Sequence, residues 1–498
     1  MRFERALSPV FGKELKEEAS SFRTRDWLFY FLQSYTAGYM KEWLLCGILV
    51  IFTSLTATAH AENLANDRLL DILQQKGFLT KEEVKSVKEI LTKEEEKEIQ
   101  VVYEEGVHIR TYDKSFDLRI GGLIQSDLIL FGAHYPEDND FDIRRARVFF
   151  QGTLFNYFKY KLEGELEGSS NDRLVDAYIN FDYFPYLQFQ AGQFKEPFSL
   201  DNLISDKYLP FNERSMAYHL TPARDVGFMI HGTLLKDSIN YGIGIFNGDG
   251  RDATRRSQKD DKELTGRAVV KPFYYLGIPF LTGLQVGGSF SYARLDTSDL
   301  NLDIETPART TFFRVRSKAK FHVIQEVDDR RRFGFEMAYT CGPLLLMGEY
   351  IRTDFHELLL SNEDIFDFDM KGWYAGMLLM LTGERPEVKR GIVEKIKPKN
   401  NFDIKARNWG AWGIGFRYEQ FEAGQVVYDK LVLEGESVRR VNAFTVALNW
   451  YLNSMVRFSL NYSRSRFAQP LFLGTSPEGY SYYRDTEHAW HTRFQLEF

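Results

Sequence analysis

Glu487-His-Ala-Trp-His-Thr-Arg-Phe-Gln-Leu-Glu-Phe498 ends the chain with apolar and polar residues in alternation. Trp490, Phe494 and Phe498 share one parity, while Arg493 and Glu497 share the other. Because successive side chains of a strand point to opposite faces, one face is apolar and the other polar. A strand with lipid on one side and water on the other needs this pattern. The segment therefore predicts one strand of a membrane-spanning β-barrel.

The same alternation recurs upstream, where Val148 and Phe150 oppose Arg145 and Arg147. A sandwich needs no particular chemistry on its solvent face, whereas a water-filled barrel in lipid needs an aromatic face and a charged one. We predict an all-β fold, a sixteen-stranded antiparallel transmembrane β-barrel preceded by a short N-terminal helical segment. The predicted strands lie near 117–130, 142–154, 157–167, 174–184, 186–194, 226–235, 238–247, 263–272, 282–292, 332–340, 343–353, 372–381, 410–421, 440–451, 454–464 and 487–498.

The composition of the 498 residues agrees with this fold. Aromatic residues make up 15%, including 42 Phe and 27 Tyr, which suits the aromatic girdles of a barrel. A large secreted β-sandwich fits the same composition. Beyond residue 61, no apolar run approaches the roughly 18–20 residues of a spanning helix, so a helical membrane protein is excluded. The net charge of −7 gives no global attraction for anions, so any anion preference must come from local placement of basic residues.

The N-terminal part divides into three segments before the barrel of 106–498. Residues 40–61 carry a basic start, an apolar stretch and Ala59-His-Ala61, which predicts a signal peptide; a membrane anchor would need a longer apolar stretch. Residues 1–39 do not resemble part of that signal, so we expect translation to start at Met40. Residues 62–105 have helical spacing with a capping box at Thr80, which predicts a periplasmic helical hairpin or short coiled coil.

Three connections are longer than a hairpin needs. Two, 195–225 and 293–331, fall on the outer side by strand parity. The third, 382–409, falls on the periplasmic side, where turns are normally short. We expect this basic turn either to form a disordered skirt or to fold back into the lumen.

Several motifs resemble the phosphate-selective porin O and P family, over roughly residues 115–498. They are Phe141-Asp-Ile-Arg-Arg-Ala-Arg147, Gly192-Gln-Phe-Lys-Glu-Pro-Phe198, Glu213-Arg-Ser215, Arg224-Asp-Val-Gly227, Phe246-Asn-Gly248, Gly342-Pro343 with Glu349-Tyr350, Thr382-Gly-Glu384 and Asn449-Trp-Tyr451. The resemblance implies a trimeric outer-membrane porin whose pore is narrowed by the third and fifth outer loops and by a long periplasmic turn. Basic side chains would lead anions, phosphate or polyphosphate, to the constriction.

The resemblance also implies a set of anion-binding residues. Arg fits two oxygens of a tetrahedral anion, Lys offers a mobile charge, and an acidic neighbour such as Asp225 would keep binding from becoming too tight. The basic candidates are Arg145, Arg147, Lys195, Lys207, Arg214, Arg224, Arg314, Arg316 and Lys397.

Other interpretations remain open at this stage. The arginines could instead pair with Glu163, Glu165, Asp176 and Asp182, which would favour a general, non-selective porin. A structural or adhesive barrel is a further alternative. We predict no enzyme, because no histidine lies in a recognisable nucleophile motif, and no cofactor or metal. The expected partners are phosphate-like anions, outer-membrane lipid and copies of the chain, with possible peptidoglycan contact through 62–105 and no nucleic acid.

Overall fold

The fold was examined in a computed structural model. It describes residues 99–132, 139–168, 173–248, 262–276, 278, 280–295, 300–316, 318–319, 322–432, 435–475 and 479–498. The N-terminal extension, the signal peptide and the helical segment up to residue 98 were predicted from sequence and lie outside these ranges. Among the described residues, no helix is long and apolar enough to cross a membrane.

Strands dominate the described residues. In chain order they are β1 Ile99–Tyr103, β2 Val107–Thr111, β3 Phe116–Phe131, β4 Asp140–Leu154, β5 Phe158–Glu165, β6 Leu174–Phe184, β7 Leu187–Lys195, β8 Arg224–Leu234, β9 Ile239–Phe246, β10 Glu263–Val270, β11 Leu284–Arg294, β12 Leu302–Glu305, β13 Thr311–Val315, β14 Lys318–Ala319, β15 His322–Cys341, β16 Leu344–Leu360, β17 Ile365–Met380, β18 Val388–Lys389, β19 Ile392–Val393, β20 Ala411–Ala423, β21 Arg440–Tyr451, β22 Val456–Thr475 and β23 Ser481–Glu497. The helices are α1 Leu200–Leu203, a 3₁₀ turn Met216–Leu220 and α2 Gln425–Leu431.

Sixteen of these strands close the barrel, as predicted. Strands β3–β11, β15–β17 and β20–β23 each pair antiparallel with the next barrel strand along the chain. The last strand returns to the first, with Ala489 opposite Phe131 and Glu497 opposite Leu123. The backbone of Phe498 completes the seam, because its N–H and C=O exchange hydrogen bonds with Gly122 at 3.1 and 2.8 Å.

Alternation places the side chains as the sequence predicts. Trp490 and Phe494 face outward and are each 48% exposed, whereas Arg493 and Glu497 face inward and are 0% and 2% exposed. Several strands extend further at the outer end than predicted; β15, for example, begins at His322 rather than near 332. Near residues 328–332 both faces carry charged residues, so the period-two signal fades where the strand leaves the lipid.

The last residues of the predicted helical segment, 62–105, are not helical. Residues 99–103 form strand β1, which pairs with β2 so that Ile99 lies opposite Thr111. Strand β23 pairs only with residues 123–131 of β3, so the backbone of residues 117–120 is left open on that edge. Strand β2 pairs with these residues. An unpaired backbone edge needs hydrogen-bond partners, and β2 supplies them to this part of β3.

Two apolar clusters fill one side of the lumen. One packs Met216, Phe312 and Val427, from three separate connections, against wall residues such as Phe355 and Phe421. The other lies nearer the periplasmic end, where side chains from 200–209 and 388–396 meet the walls of β16 and β17. Because apolar side chains occupy this side, a polar passage is confined to the opposite wall.

Candidate functional site

The third outer loop, residues 196–223 between β7 and β8, crosses the lumen to the opposite wall. The carboxylate of Glu349 on β16 accepts the backbone N–H groups of Leu200 and Asp201 at 3.0 and 2.6 Å. Glu419 on β20 accepts the N–H of Met216 at 2.6 Å. Buried acceptors on two distant strands therefore satisfy the loop backbone and hold it across the barrel.

Local contacts fix the shape of this loop. The Ser199 hydroxyl caps α1 by accepting the N–H of Asn202 at 3.2 Å, and the Asn202 amide donates to the carbonyl of Pro222 at 3.0 Å. Lys195, a predicted anion ligand, donates through Nζ to the carbonyls of Asn202 and Ile204 at 2.6 and 2.8 Å. In this structure Lys195 thus binds the loop itself, and it does not line the cavity described next.

A cavity of about 360 Å³ lies between the third outer loop and the wall of β4–β8. Its charged lining has equal numbers of arginines and carboxylates. The arginines are Arg144, Arg145, Arg147, Arg214, Arg224 and Arg309, and the carboxylates are Asp142, Glu165, Glu167, Asp206, Glu213 and Glu305. Four of the predicted ligands, Arg145, Arg147, Arg214 and Arg224, are therefore brought together.

Asp206 stands at the centre of this group. Its carboxylate accepts from Nη1 of Arg147 at 2.7 Å, lies 3.4 Å from Nε of Arg145, and binds Arg214. Burial alone would raise the pKa of Asp206, but Arg145, Arg214 and Arg147 outweigh it and hold that pKa well below its usual range. The carboxylate therefore stays ionised and occupies the position between three guanidinium groups.

Much of this wall shows arginines paired with carboxylates, which is the alternative that the sequence left open. Nε of Arg147 donates to Glu165 at 2.7 Å, and Nε of Arg224 donates to Asp176 at 2.7 Å. Three of the four carboxylates expected to pair with arginines do so: Glu163 and Glu165 contact Arg147, and Asp176 contacts Arg224. Asp182 instead contacts Lys159. Carboxylates of the wall thus hold the deep arginines in fixed positions.

A second network joins the cavity to the last strand. Glu213 accepts from Nε of Arg144 at 2.9 Å and from Nη2 of Arg493 at 2.8 Å. Asp127 accepts from Nε of Arg493 at 2.7 Å and lies 2.8 Å from Nε2 of His491. Asp127, Glu213 and His491 are close enough together to suggest a metal centre, but the Arg493 guanidinium already supplies the positive charge between the two carboxylates.

Access to the cavity differs among its arginines. The side chains of Arg144 and Arg309 are 32% and 21% exposed, whereas those of Arg145 and Arg147 are 8% and 5% exposed. Arg309, at the tip of the β12–β13 hairpin, reaches the cavity rim and donates to Asp142 at 2.6 Å. Neither Arg144 nor Arg309 was ranked among the main candidates from sequence, because loop folding and a bulge in β4 decide their direction.

The prediction for Arg314 and Arg316 differs from the structure. Both lie on the β12–β13 hairpin but point away from the cavity and contact Asp303, with side chains 54% and 43% exposed. The neighbouring Phe313 and Val315 are fully buried in the apolar cluster. Because successive strand residues alternate, burying Phe313 and Val315 turns the two arginines outward.

Asp225 also lies away from the cavity lining. Its carboxylate accepts the backbone N–H groups of Val226 and Gly248, both at 2.6 Å. These contacts place Asp225 where β8 begins and β9 ends, and its carboxylate orders the backbone there.

The long periplasmic turn, residues 381–410, folds back into the lumen, which is one of the two outcomes expected from sequence. Gln285 donates to the carbonyl of Val388 at 2.9 Å, and the turn carries Lys395 to within 3.3 Å of Glu497. Glu497 also contacts Lys207 at 3.2 Å. Lys397 projects from the turn with its side chain 68% exposed and pairs with Glu105 at 3.4 Å. The two predicted lysines thus lie at the periplasmic mouth, apart from the cavity.

A closed sixteen-stranded barrel with a loop across its lumen and a charged passage along one wall is the architecture of a porin. A model of the family described as phosphate-selective porin O and P matches residues 118–469. Porin O of Pseudomonas aeruginosa is 26% identical over 74% of this chain and 87% of its own length. The chain belongs to the phosphate-selective porin O and P family.

Solved structures with a similar arrangement include an anion-selective porin from Comamonas acidovorans, which is 10% identical over 76% of this chain and 99% of its own, with a TM-score of 0.46. A trimeric form of OmpT from Vibrio cholerae is 12% identical over the same shares, with a TM-score of 0.46. Family membership makes this protein an anion-selective outer-membrane porin, a channel rather than an enzyme.

Proposed function

We propose that phosphate or polyphosphate enters through the cavity along β4–β8 and contacts Arg144 and Arg309 before the deeper arginines. The observation that carries this proposal is the concentration of six arginines around about 360 Å³, which has room for an anion and several waters. Low-dielectric walls strengthen the field of these cations. A guanidinium has five N–H donors, so an arginine held by a carboxylate can still offer donors to an anion.

In this proposal the deeper arginines also bind the anion, but they share their donors with Asp206. Asp206 is a tethered anion among Arg145, Arg147 and Arg214. A permeating phosphate would share those donors with Asp206 instead of finding them empty. Sharing lowers the affinity of each site for the anion. A row of sites with moderate affinity allows an ion to leave as readily as it enters.

Single-channel current in planar bilayers tests the proposal, with phosphate titrated against chloride. The variant Arg144→Gln/Arg309→Gln removes the two accessible cations and should weaken phosphate block at least tenfold, since a charge-assisted hydrogen bond contributes about 1.5–3 kcal/mol. The matched control is Arg314→Gln/Arg316→Gln, which removes the same charge outside the cavity and should leave block unchanged. Equal block in all three proteins would contradict the assignment.

A general anion pore without a phosphate site is the second candidate. The six carboxylates that balance the six arginines favour it, because a lining with balanced charge holds no single anion strongly. The same titration separates the two: a chloride current indifferent to phosphate in the unaltered protein supports the general pore. A very small current would instead favour the structural or adhesive role.

The trimer also remains a proposal. At the outer ends of neighbouring strands β3–β5, Leu130, Phe141, Ile143 and Leu166 are exposed by 39–79%. Apolar side chains at headgroup level are better covered by another barrel than by water, so this arc is the proposed subunit interface. Peptidoglycan contact through 62–105 stays a prediction from sequence.

A further inference from the structure

Three arginines lie on the outside of the barrel between β21 and β23. Arg440, Arg464 and Arg466 are all exposed. On β22 the residues between and beyond them, Ser465 and Phe467, are 1% and 4% exposed and face the lumen. Because side chains alternate, Arg464 and Arg466 face away from the lumen and cannot serve the anion passage.

Strand pairing brings these arginines close together. Arg466 lies directly opposite Asn442, and Arg440 is two residues further along the same strand. Residues two apart on one strand are roughly 7 Å apart, and a diagonal pair across two strands is roughly 7–8 Å apart. Arginine side chains readily span such distances, so the three guanidinium groups can converge on one tetrahedral anion.

Arg440, Arg464 and Arg466, called the patch below, lie at the height of the membrane interface. From Val456 to Arg466 the strand rises roughly 25 Å at a tilt of about 40°, which is the height of the apolar band of an outer-membrane barrel. Just below the arginines, the outward-facing rings of Tyr462 and Trp490 pack against each other with their centroids 4.9 Å apart. A row of aromatic residues capped by cations is typical of the level where acyl chains give way to headgroups.

The patch differs from the outward-facing basic residues of β16 and β17, which have carboxylate partners. Arg352 on β16 donates to Asp354 at 2.8 Å, and Lys371 on β17 lies 3.6 Å from Glu422. Within the part of the chain that the structure describes, Arg464 and Arg466 contact no carboxylate. Arg440 lies directly opposite Glu422 on β20, and this carboxylate also contacts Lys371 and Arg439. The charges of Arg464 and Arg466 are thus left for an external anion, and Arg440 adds to the local positive potential.

We propose that Arg440, Arg464 and Arg466 bind the phosphate groups of a phosphorylated lipid in the outer leaflet of the outer membrane. This rests on the outer-membrane location and is independent of the anion path. Guanidinium groups bind phosphate oxygens in pairs, and at this height the anionic groups that a barrel meets belong to lipid headgroups. The patch therefore fixes the position of the barrel relative to the surrounding lipid headgroups.

Native mass spectrometry of the purified full-length protein in detergent, with bisphosphorylated lipid A added, tests this site. The variant Arg440→Gln/Arg464→Gln/Arg466→Gln should bind the lipid roughly 100-fold more weakly than the unaltered protein. The control Arg331→Gln/Arg352→Gln/Lys371→Gln removes three outward cations that already have carboxylate neighbours, and it should bind almost normally. Heat-dependent migration on gels verifies that all three barrels are folded.

Two further arms identify the source of the phosphate. Lipid A without its phosphates should bind equally weakly to the unaltered protein and the variant, and excess inorganic phosphate should not displace the intact lipid. Equal binding of phosphorylated and dephosphorylated lipid, or displacement by inorganic phosphate, would overturn the proposal. Phosphate block of the chloride current should be unchanged in the triple variant, so failure here is distinct from failure of the pore assignment.

Discussion

The two sides of the lumen use the same alternating strands for different purposes. Along β4–β8 the inward residues are charged and lie about a cavity, with Asp206 held among three arginines. On the side of β16–β22, Phe312 and Phe421 belong to a dry apolar cluster in which their rings lie 5.4 Å apart. Strand number alone therefore does not set the width of this pore. Loop residues close one side by hydrophobic packing and leave the other side polar.

Charge reversal on the polar side should have the largest effect. Arg145→Glu/Arg147→Glu replaces two cations with anions beside Asp206, so the ratio of anion to cation permeability should fall below one. Reversal potentials in a salt gradient measure that ratio. The control Arg314→Glu/Arg316→Glu makes the same charge change outside the cavity and should keep the original ratio. Unchanged selectivity in a folded Arg145/Arg147 variant would remove this wall from the pathway.

The next largest effect should come from the buried network that joins the polar side to the last strand. Asp127→Ala removes one of the two carboxylates that contact the fully buried Arg493 among the described residues and leaves Glu213. Breaking a buried ion pair costs about 3–5 kcal/mol. Urea unfolding of protein refolded in vesicles measures the change. The exposed Asp303, which pairs with Arg316, is the control, since Asp303→Ala should cost less than about 1 kcal/mol.

A smaller effect is expected from the apolar side. Phe312→Leu changes shape in the packed cluster and should lower the free energy of unfolding by about 1.5 kcal/mol. Ion selectivity should not change, because no charge moves. A shifted reversal potential in this variant would mean that packing on the apolar side affects the polar passage, contrary to the separate roles assigned to the two sides.

Mild acid should have the smallest effect. Burial lowers the pKa of His219 to about 4, so this imidazole is neutral from pH 5 to pH 8. The lowered pKa of Asp206 means that its stabilising contribution is present above its unfolded pKa of about 3.9 and is lost only as pH falls below that value. Neither Asp206 nor His219 therefore changes its charge between pH 5 and pH 8. Burial raises the pKa of Glu305, another carboxylate of the cavity, so any pH dependence of the reversal potential should come from this group and appear as a small rise in anion preference toward pH 5. A fall in anion preference at pH 5 would contradict this assignment.

Much of the wall could be predicted from residues alone. Arg145 and Arg147 were correctly assigned to the lumen because alternation within one strand fixes their side. Arg314 and Arg316 were expected at the pore but lie outside the cavity, because no such alternation rule applies to the third and fifth outer loops. Their direction depends on Phe313 and Val315, which are buried against residues more than a hundred positions away.

The sequence by itself determined the barrel, its sixteen strands and which strand residues face water, because a two-residue period in a lipid-facing sheet is a local property. Only the tertiary structure decided that one side of the lumen is closed by apolar packing. It also decided that Asp206 sits among the arginines, that Arg144 and Arg309 are the accessible cations, and that Lys195 and Asp225 order backbone. These outcomes depend on contacts between distant segments, which no local pattern records.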